Sequence, residues 1–214
     1  MTLDVFADIA CPWCYIGEAR LQAALAARPG LAVERRWRPF QLQPDLPRTG
    51  TPRDAFFERK FGGAGPMAAA FGHVTEAGRA DGLRFDFDRL AGAPNTVDAH
   101  RLVLLGATYG RAFETADALF EGYFADGRDL NDPADLVAVA EHAGLPGAAA
   151  QGVLAGDRFE AEVAQSQEVA RRSGIGGVPL YIFGDQFALS GAQPVQAFVQ
   201  ALDRAQAGAP AGGP

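Results

Sequence analysis

The alternation of apolar and polar residues at the start of the chain predicts a β–α–β unit. Residues 3–9 alternate as expected for a strand, with every second side chain apolar. From Pro12 the spacing becomes helical, because proline suits the first turn of a helix, and the Pro-Gly pair at 29–30 ends it. Residues 31–37 then alternate again. The pattern therefore predicts strand, helix and strand within the first forty or so residues.

The middle of the chain has a different pattern, with hardly any strand-like alternation between residues 52 and 172. Capping residues and apolar positions three or four apart predict helices over 54–61, 66–80, 96–109, 111–125, 133–143 and 159–172. The segment 83–88 is interpreted as an extended connector. We therefore expect a helical block of more than a hundred residues.

Strand signals return near the C-terminus. The apolar run at 180–183, the Gly-Asp turn at 184–185 and the partner segment 186–190 predict a hairpin, and a closing helix is expected over 194–205. The overall order is thus β–α–β, helices, β–β–α.

This order predicts an α/β domain interrupted by an all-helical insertion. The α/β part would comprise residues 1–45 and 173–206, and the insertion 46–172, with its last helix leading back into the α/β core. Residues 207–214 are expected to form a flexible tail, since they contain no core residue larger than Ala.

The amino-acid composition limits the kinds of molecule that the protein is expected to bind. The chain has 214 residues, of which 48% are hydrophobic, and its net charge is −7. An acidic chain gains nothing from counterion release on a phosphate backbone, so nucleic acid is not an expected partner. No apolar run approaches the ~20 residues of a membrane span, and no signal peptide precedes Cys11. We therefore expect a cytoplasmic protein with no membrane partner, in which thiols are kept reduced.

The candidate chemistry is carried by the two cysteines of the chain, in Cys11-Pro12-Trp13-Cys14. A cysteine at a helix N-terminus meets unpaired N–H groups and the positive end of the helix dipole, which stabilise a thiolate. Its partner, one turn further along, can close a disulfide and resolve a mixed disulfide. Cys11 is expected to be the more accessible sulfur and the nucleophile, with Cys14 as the resolving cysteine.

Two other interpretations of the pair exist. In the first, the pair is half of a zinc site, which would need two further ligands. The three histidines are scattered along the chain without ligand spacing, so no metal is predicted. The second is a pair of inert buried cysteines, which the strand-to-helix position does not favour.

A second candidate element is the segment 174–183, in which Pro179 opens a buried apolar run. A cis Val178–Pro179 bond would turn the backbone of Val178 towards the cysteines, where it could pair with an extended substrate. An ordinary trans turn before a strand is the alternative, and this segment alone favours it.

These elements together resemble the DsbA-like branch of the thioredoxin superfamily, and more narrowly its FrnE-like group. That group is related to 2-hydroxychromene-2-carboxylate isomerases and kappa-class glutathione transferases. The similarity covers about residues 3–205 and rests on the motifs at 11–17, 38–40, 94–96 with 99–102, 174–179 and 191–194. It implies a thioredoxin-like fold, a cis peptide at Pro179, Cys11 as the nucleophile and thiol–disulfide exchange.

Two departures from the relatives bear on function. DsbA has histidine where this chain has Trp13, which does not favour a strongly oxidising role. In the related isomerases and kappa transferases, serine stands at the position of Cys11. This difference argues against glutathione-dependent isomerisation by this chain.

Three further polar or aromatic residues are weaker candidates. His100 either lines the groove above the cysteines or is a helix-face histidine bonded to a backbone carbonyl. Trp13 is either a substrate contact or a lid packed on the helical block. Asp8 either influences Cys14 or is a solvated loop acid.

The sequence thus predicts a cytoplasmic thiol–disulfide oxidoreductase or isomerase that needs no bound cofactor beyond its redox-active disulfide. Its partners would be protein thiols and disulfides or glutathione, the latter as a candidate co-substrate, and the chain would be a monomer or a homodimer. The alternatives are a glutathione-dependent isomerase or transferase, and a redox-inactive peptide-binding module.

Overall fold

The computed structural model describes residues 1–208, and its main sheet is built from the two ends of this range. The strands are β1 (Thr2–Ala7), β2 (Glu34–Pro39), β3 (Thr51–Pro52), β4 (Gly92–Ala93), β5 (Leu180–Phe183) and β6 (Phe187–Ser190). The four-stranded sheet has the order β2-β1-β5-β6, in which β1 is parallel to β2 and antiparallel to β5. β3 and β4 form a separate antiparallel pair.

Nine α-helices accompany these strands within the described range. They are α1 (Pro12–Ala26), α2 (Arg53–Phe61), α3 (Ala64–Ala80), α4 (Val97–Thr108), α5 (Ala112–Phe124), α6 (Pro133–His142), α7 (Gly147–Ala155), α8 (Glu160–Arg172) and α9 (Val195–Gly208). Seven of them lie between β2 and β5. The predicted α/β fold interrupted by a helical block is therefore confirmed, and none of these helices is long and apolar enough to cross a membrane.

The register of the sheet places the loop before β5 beside the end of β1. Phe6 of β1 is paired with Leu180, the first residue of β5. Because the two strands are antiparallel, the chain entering β5 meets the chain leaving β1 at one edge of the sheet. Cys11 follows β1 and Pro179 precedes β5. Although 167 positions separate Cys11 from Val178 along the chain, the pairing of β1 with β5 brings the two residues together.

The two faces of the sheet are covered differently. Alternate β1 residues such as Leu3 and Val5 belong to the large core that includes α1 and α9, whereas Phe6 points to the other face and packs with Phe40 and with Ala170 of α8. α8, the last helix of the block, thus lies on this face of the sheet.

Several predicted boundaries differ from the structure. β1 ends at Ala7 and β2 begins at Glu34, because the pairing between the two strands runs only from Thr2 with Glu34 to Ala7 with Pro39. A seventh helix, α7, was missed because its Gly- and Ala-rich sequence shows little apolar periodicity. The connector at 83–88 leads into a 3-10 turn over Phe87–Arg89. Helix α9 continues to Gly208, so the expected tail is at least two residues shorter, and 209–214 lie outside the described residues.

Candidate active site

Cys11 caps the N-terminus of α1, as the sequence predicts. Its backbone is extended, Pro12 occupies the first helical position, and the Cys11 carbonyl accepts hydrogen bonds from the N–H groups of Cys14 (2.9 Å) and Tyr15 (3.3 Å). The Cys11 N–H in turn donates to the Asp8 carbonyl at 3.0 Å. The cysteine is therefore held on both sides at the start of the helix, where the dipole favours a negative charge.

Cys14 lies one turn further into the helix and is enclosed by protein. Both sulfurs are free thiols. Burial raises the pKa of the Cys14 thiol well above its usual range, and a hydrogen bond with Cys11 adds to the rise. Cys14 is therefore a protonated thiol at neutral pH.

The backbone of Val178 lies next to the sulfur of Cys11. The Cys11 Sγ is 3.8 Å from the Val178 carbonyl oxygen, and the Val178–Pro179 peptide is cis. The expected juxtaposition of residues 178–179 with the cysteines is therefore present, and the carbonyl is an acceptor beside the reactive sulfur.

A glycine allows this close approach on the second turn of α1. A Cβ on Gly17 would overlap the hydroxyl of Tyr181 and lie 3.2 Å from the ring of Pro179. The backbone of α1 can therefore pack directly against the start of β5. Glycine is needed at position 17 of the Cys11–Gly17 motif because a side chain there would clash with Tyr181. The sequence alone did not reveal this contact.

Asp8 is not a solvated loop acid. Its side chain is only 2% exposed, and its carboxylate accepts hydrogen bonds from the N–H groups of Leu42 (2.7 Å) and Ala10 (3.2 Å). The bond from Leu42 ties the loop before Cys11 to the chain that leaves β2, and the bond from Ala10 lies within the loop. Asp8 thereby fixes the position of the active-site loop.

His100 is fully buried and is used structurally. Its Nδ1 accepts from the indole N–H of Trp37 at 3.2 Å, and its Nε2 lies 3.1 Å from the Phe40 carbonyl. His100 does not line the cavity at Cys11 described below. The interpretation of a helix-face histidine bonded to a backbone carbonyl fits this environment, and a groove-lining role does not.

A cavity of about 380 Å³ opens beside Cys11. Its walls come from the start of α1, from α2 and α3, from the end of α5 and from the segment before β5. The lining residues are Ala10, Cys11, Pro12, Trp13, Leu42, Phe57, Lys60, Phe61, Ala70, Phe71, His73, Val74, Phe87, Leu90, Tyr123, Phe124 and Val178. Cys14 is absent from this lining. By whole-residue exposure the two cysteines hardly differ, at 4% and 2%, so it is the cavity that gives Cys11 its access.

Trp13 lies between the cavity and the helical block. Its indole lines the cavity, and its ring also contacts His73 of α3 with the centroids 5.4 Å apart. Lys60 and Phe61 of α2 also line the cavity, a role that the sequence did not predict for either residue. Their placement depends on how α2 packs over the cysteines, which no local pattern records.

Within residues 1–208, no group of three or more His, Cys, Asp or Glu residues is arranged to hold a metal ion.

Several solved structures are similar to this chain. A probable DsbA oxidoreductase from Streptomyces coelicolor is 34% identical, with a TM-score of 0.89 over 99% of this chain and 92% of that one. A cytosolic disulfide reductase, DsbM from Pseudomonas aeruginosa, solved with GSH, is 22% identical, with a TM-score of 0.64 over 95% and 100%. A 2-hydroxychromene-2-carboxylate isomerase is 16% identical, with a TM-score of 0.68 over 95% of each chain. The last two share the fold.

The sequence itself matches a family model over nearly its whole length. Residues 2–203 fit the DSBA-like thioredoxin domain, and this span includes both cysteines, the helical block and the loop before β5. The expected resemblance is thereby confirmed: the chain belongs to the DsbA-like thioredoxin family.

Proposed function

We propose that the protein is a thiol–disulfide oxidoreductase in which Cys11 is the nucleophile and Cys14 the resolving cysteine. One observation carries the proposal: Cys11 lines the cavity, whereas Cys14 lies behind it with a raised pKa. An incoming disulfide can therefore reach Cys11 first, and Cys14 is kept protonated until it is needed. The oxidoreductase relatives support the same class of reaction.

The reaction consists of two exchanges. The Cys11 thiolate attacks one sulfur of the substrate disulfide, a Cys11–substrate disulfide forms, and the other substrate sulfur leaves as a thiolate. Cys14 then loses its proton and attacks the Cys11 sulfur, which forms the Cys11–Cys14 disulfide and releases the second thiolate. The substrate gains two electrons and the protein loses two. Reversal of both steps oxidises a substrate dithiol.

The carbonyl of Val178 would orient the substrate during the first exchange. It lies 3.8 Å from the Cys11 sulfur and can accept a hydrogen bond from an N–H group next to the substrate sulfur. Such a bond would align the disulfide with the attacking thiolate.

No bound cofactor is needed, because the cysteine pair is itself the redox centre. A thiol of the glutathione class would regenerate the reduced pair, in line with the GSH present in the DsbM structure. A cytoplasmic location is part of the same proposal.

The pH dependence of the second exchange tests this assignment. Reduced protein is mixed with dithiodipyridine, and the release of each thiopyridine is followed by its absorbance. The first release reports attack by Cys11, and the second reports attack by Cys14 on the mixed disulfide. Since only the Cys14 thiolate attacks, the second rate should rise about tenfold per unit between about pH 6 and 8.

The outcomes separate the candidate functions. A second release that is independent of pH would contradict the role of Cys14 as a buried, protonated thiol. Absence of both releases, together with glutathione-dependent isomerisation of a chromene carboxylate, would instead establish the isomerase alternative. Absence of both activities would leave a peptide-binding module.

A further inference from the structure

The cavity beside Cys11 has a chemical character that the reaction does not require. Its walls are largely aromatic and aliphatic, with Trp13, Phe57, Phe61 and Phe71 among them. A cavity of about 380 Å³ falls within the range of small-molecule sites, and apolar walls favour an apolar or aromatic occupant.

The lining of the cavity contains basic side chains and no carboxylate. Lys60 and His73 both line the cavity, and no aspartate or glutamate does. Within residues 1–208 neither side chain forms an ion pair with a carboxylate, and the Lys60 ammonium lies 5.6 and 5.7 Å from the ring centroids of Phe56 and Phe61. The Lys60 ammonium thus lies near two aromatic rings and forms no ion pair within the described residues.

This arrangement stands out against the rest of the molecule. The net charge of the chain is −7, and Lys60 is its only lysine. The chain as a whole therefore repels an anion, whereas Lys60 supplies a local positive charge that attracts an anion at the cavity. The His73 imidazole adds a ring nitrogen that can donate a hydrogen bond.

We propose that this cavity selects low-molecular-weight disulfides in which the group attached to the reacting sulfur is aromatic and carries a carboxylate. Lys60 determines the specificity by pairing with the carboxylate, while Trp13 and Phe71 contact the ring. The inference rests on the proposed function, because it assumes that Cys11 attacks the substrate sulfur. The bonds formed and broken are those of the two exchanges above, with an aromatic carboxylate thiolate released at each.

Two aromatic disulfides that differ in charge test the proposal. Dithionitrobenzoate carries a carboxylate on each ring, whereas dithiodipyridine is neutral, and both release a coloured thiolate or thione. The rate constant of the first release is measured for each reagent, and their ratio is compared between variants. The ratio cancels changes in the reactivity of Cys11 itself.

Lys60→Gln should lower the ratio of the anionic to the neutral rate by about three- to tenfold, and Lys60→Arg should restore most of it. Arg59→Gln is the matched control: Arg59 is the preceding residue of α2 and is exposed, but it does not line the cavity. The same loss of charge there should leave the ratio unchanged.

A pair of peptide disulfides tests whether the cavity binds small disulfides or protein side chains. One peptide has Phe-Glu beside its cysteine, and the other has Phe-Gln there. The proposal expects the Phe-Glu to Phe-Gln ratio to be unaffected by Lys60→Gln. If this ratio falls as much as that of the small reagents, the cavity receives protein side chains and the proposal is wrong.

An unchanged ratio for the small reagents in Lys60→Gln, or an equal fall in Arg59→Gln, also overturns it. These results differ from failure of the proposed function, in which neither reagent would react through Cys11.

Discussion

Replacing Cys11 with serine is expected to lower the rate of disulfide reduction by at least about a thousandfold. A serine hydroxyl is not ionised at neutral pH, so it cannot attack a disulfide, and no other cysteine lines the cavity. The measurement is the first thiopyridine release from reduced protein, with thermal unfolding to show that the variant is folded.

Cys14→Ser is the matched control for this change. It should keep the first release within a few-fold of the wild-type rate, because Cys11 remains, and lose the second. A Cys11→Ser variant that reacted at nearly the wild-type rate would show that Cys14 is directly accessible.

The second large effect concerns stability and a cluster of acids between α1 and α5. Glu18 of α1 is 2% exposed, and its carboxylate accepts from Arg35 at 2.5 Å and from Gln22 at 3.2 Å. The Gln22 amide also donates to Asp117 of α5 at 2.6 Å. Two carboxyl groups thus share one amide, with Glu18 buried and Asp117 half-buried, which favours the protonated form of each.

Burial, with the neighbouring charge of Glu18, raises the pKa of Asp117 from 3.8 to about 7. The folded protein therefore takes up a proton at Asp117 when the pH lies between these values, whereas the unfolded chain does not. Ionised Asp117 lowers the free energy of unfolding. The free energy of unfolding therefore falls as the pH rises from 3.8 to about 7, and above that pH Asp117 lowers it no further.

Asp117→Asn should consequently raise the free energy of unfolding by about 2–4 kcal/mol at a pH about one unit above 7, since each pKa unit corresponds to about 1.4 kcal/mol. The gain should vanish near the ordinary pKa of aspartate. Denaturant unfolding of both proteins at several pH values gives the measurement. Glu121→Gln, an exposed position on the same helix, serves as the control and should change stability by less than about 0.5 kcal/mol. An equal gain at every pH would contradict this explanation.

The parts of the fold that could be predicted are those specified by short stretches of sequence. Proline at the first position of α1 and the Asp132 cap of α6 both act within one turn. The hairpin was recognised from Gly184-Asp185, and both residues have positive φ in the three-residue turn between β5 and β6. The cysteine pair was found in the same way, because its spacing and its position after a strand are local features.

The parts that were missed depend on contacts between distant segments. Asp8 is buried because the chain leaving β2 supplies the N–H of Leu42, 34 residues away. Lys60 belongs to the cavity because α2 and α3 fold over the start of α1, and Gly17 matters because Tyr181 packs against it. Neither residue type nor spacing along the chain carries this information.

The most direct test of the division of labour between the cysteines is to trap the mixed disulfide. Reduced Cys14→Ser and Cys11→Ser variants are each incubated with a disulfide substrate, and the adducts are located by peptide mass spectrometry. The Cys14→Ser protein should accumulate a substrate thiol bound to Cys11, because the resolving sulfur is missing, and the Cys11→Ser protein should trap nothing. Equal trapping by the two variants, or an adduct found only on Cys14, would contradict the assignment of Cys11 as the nucleophile.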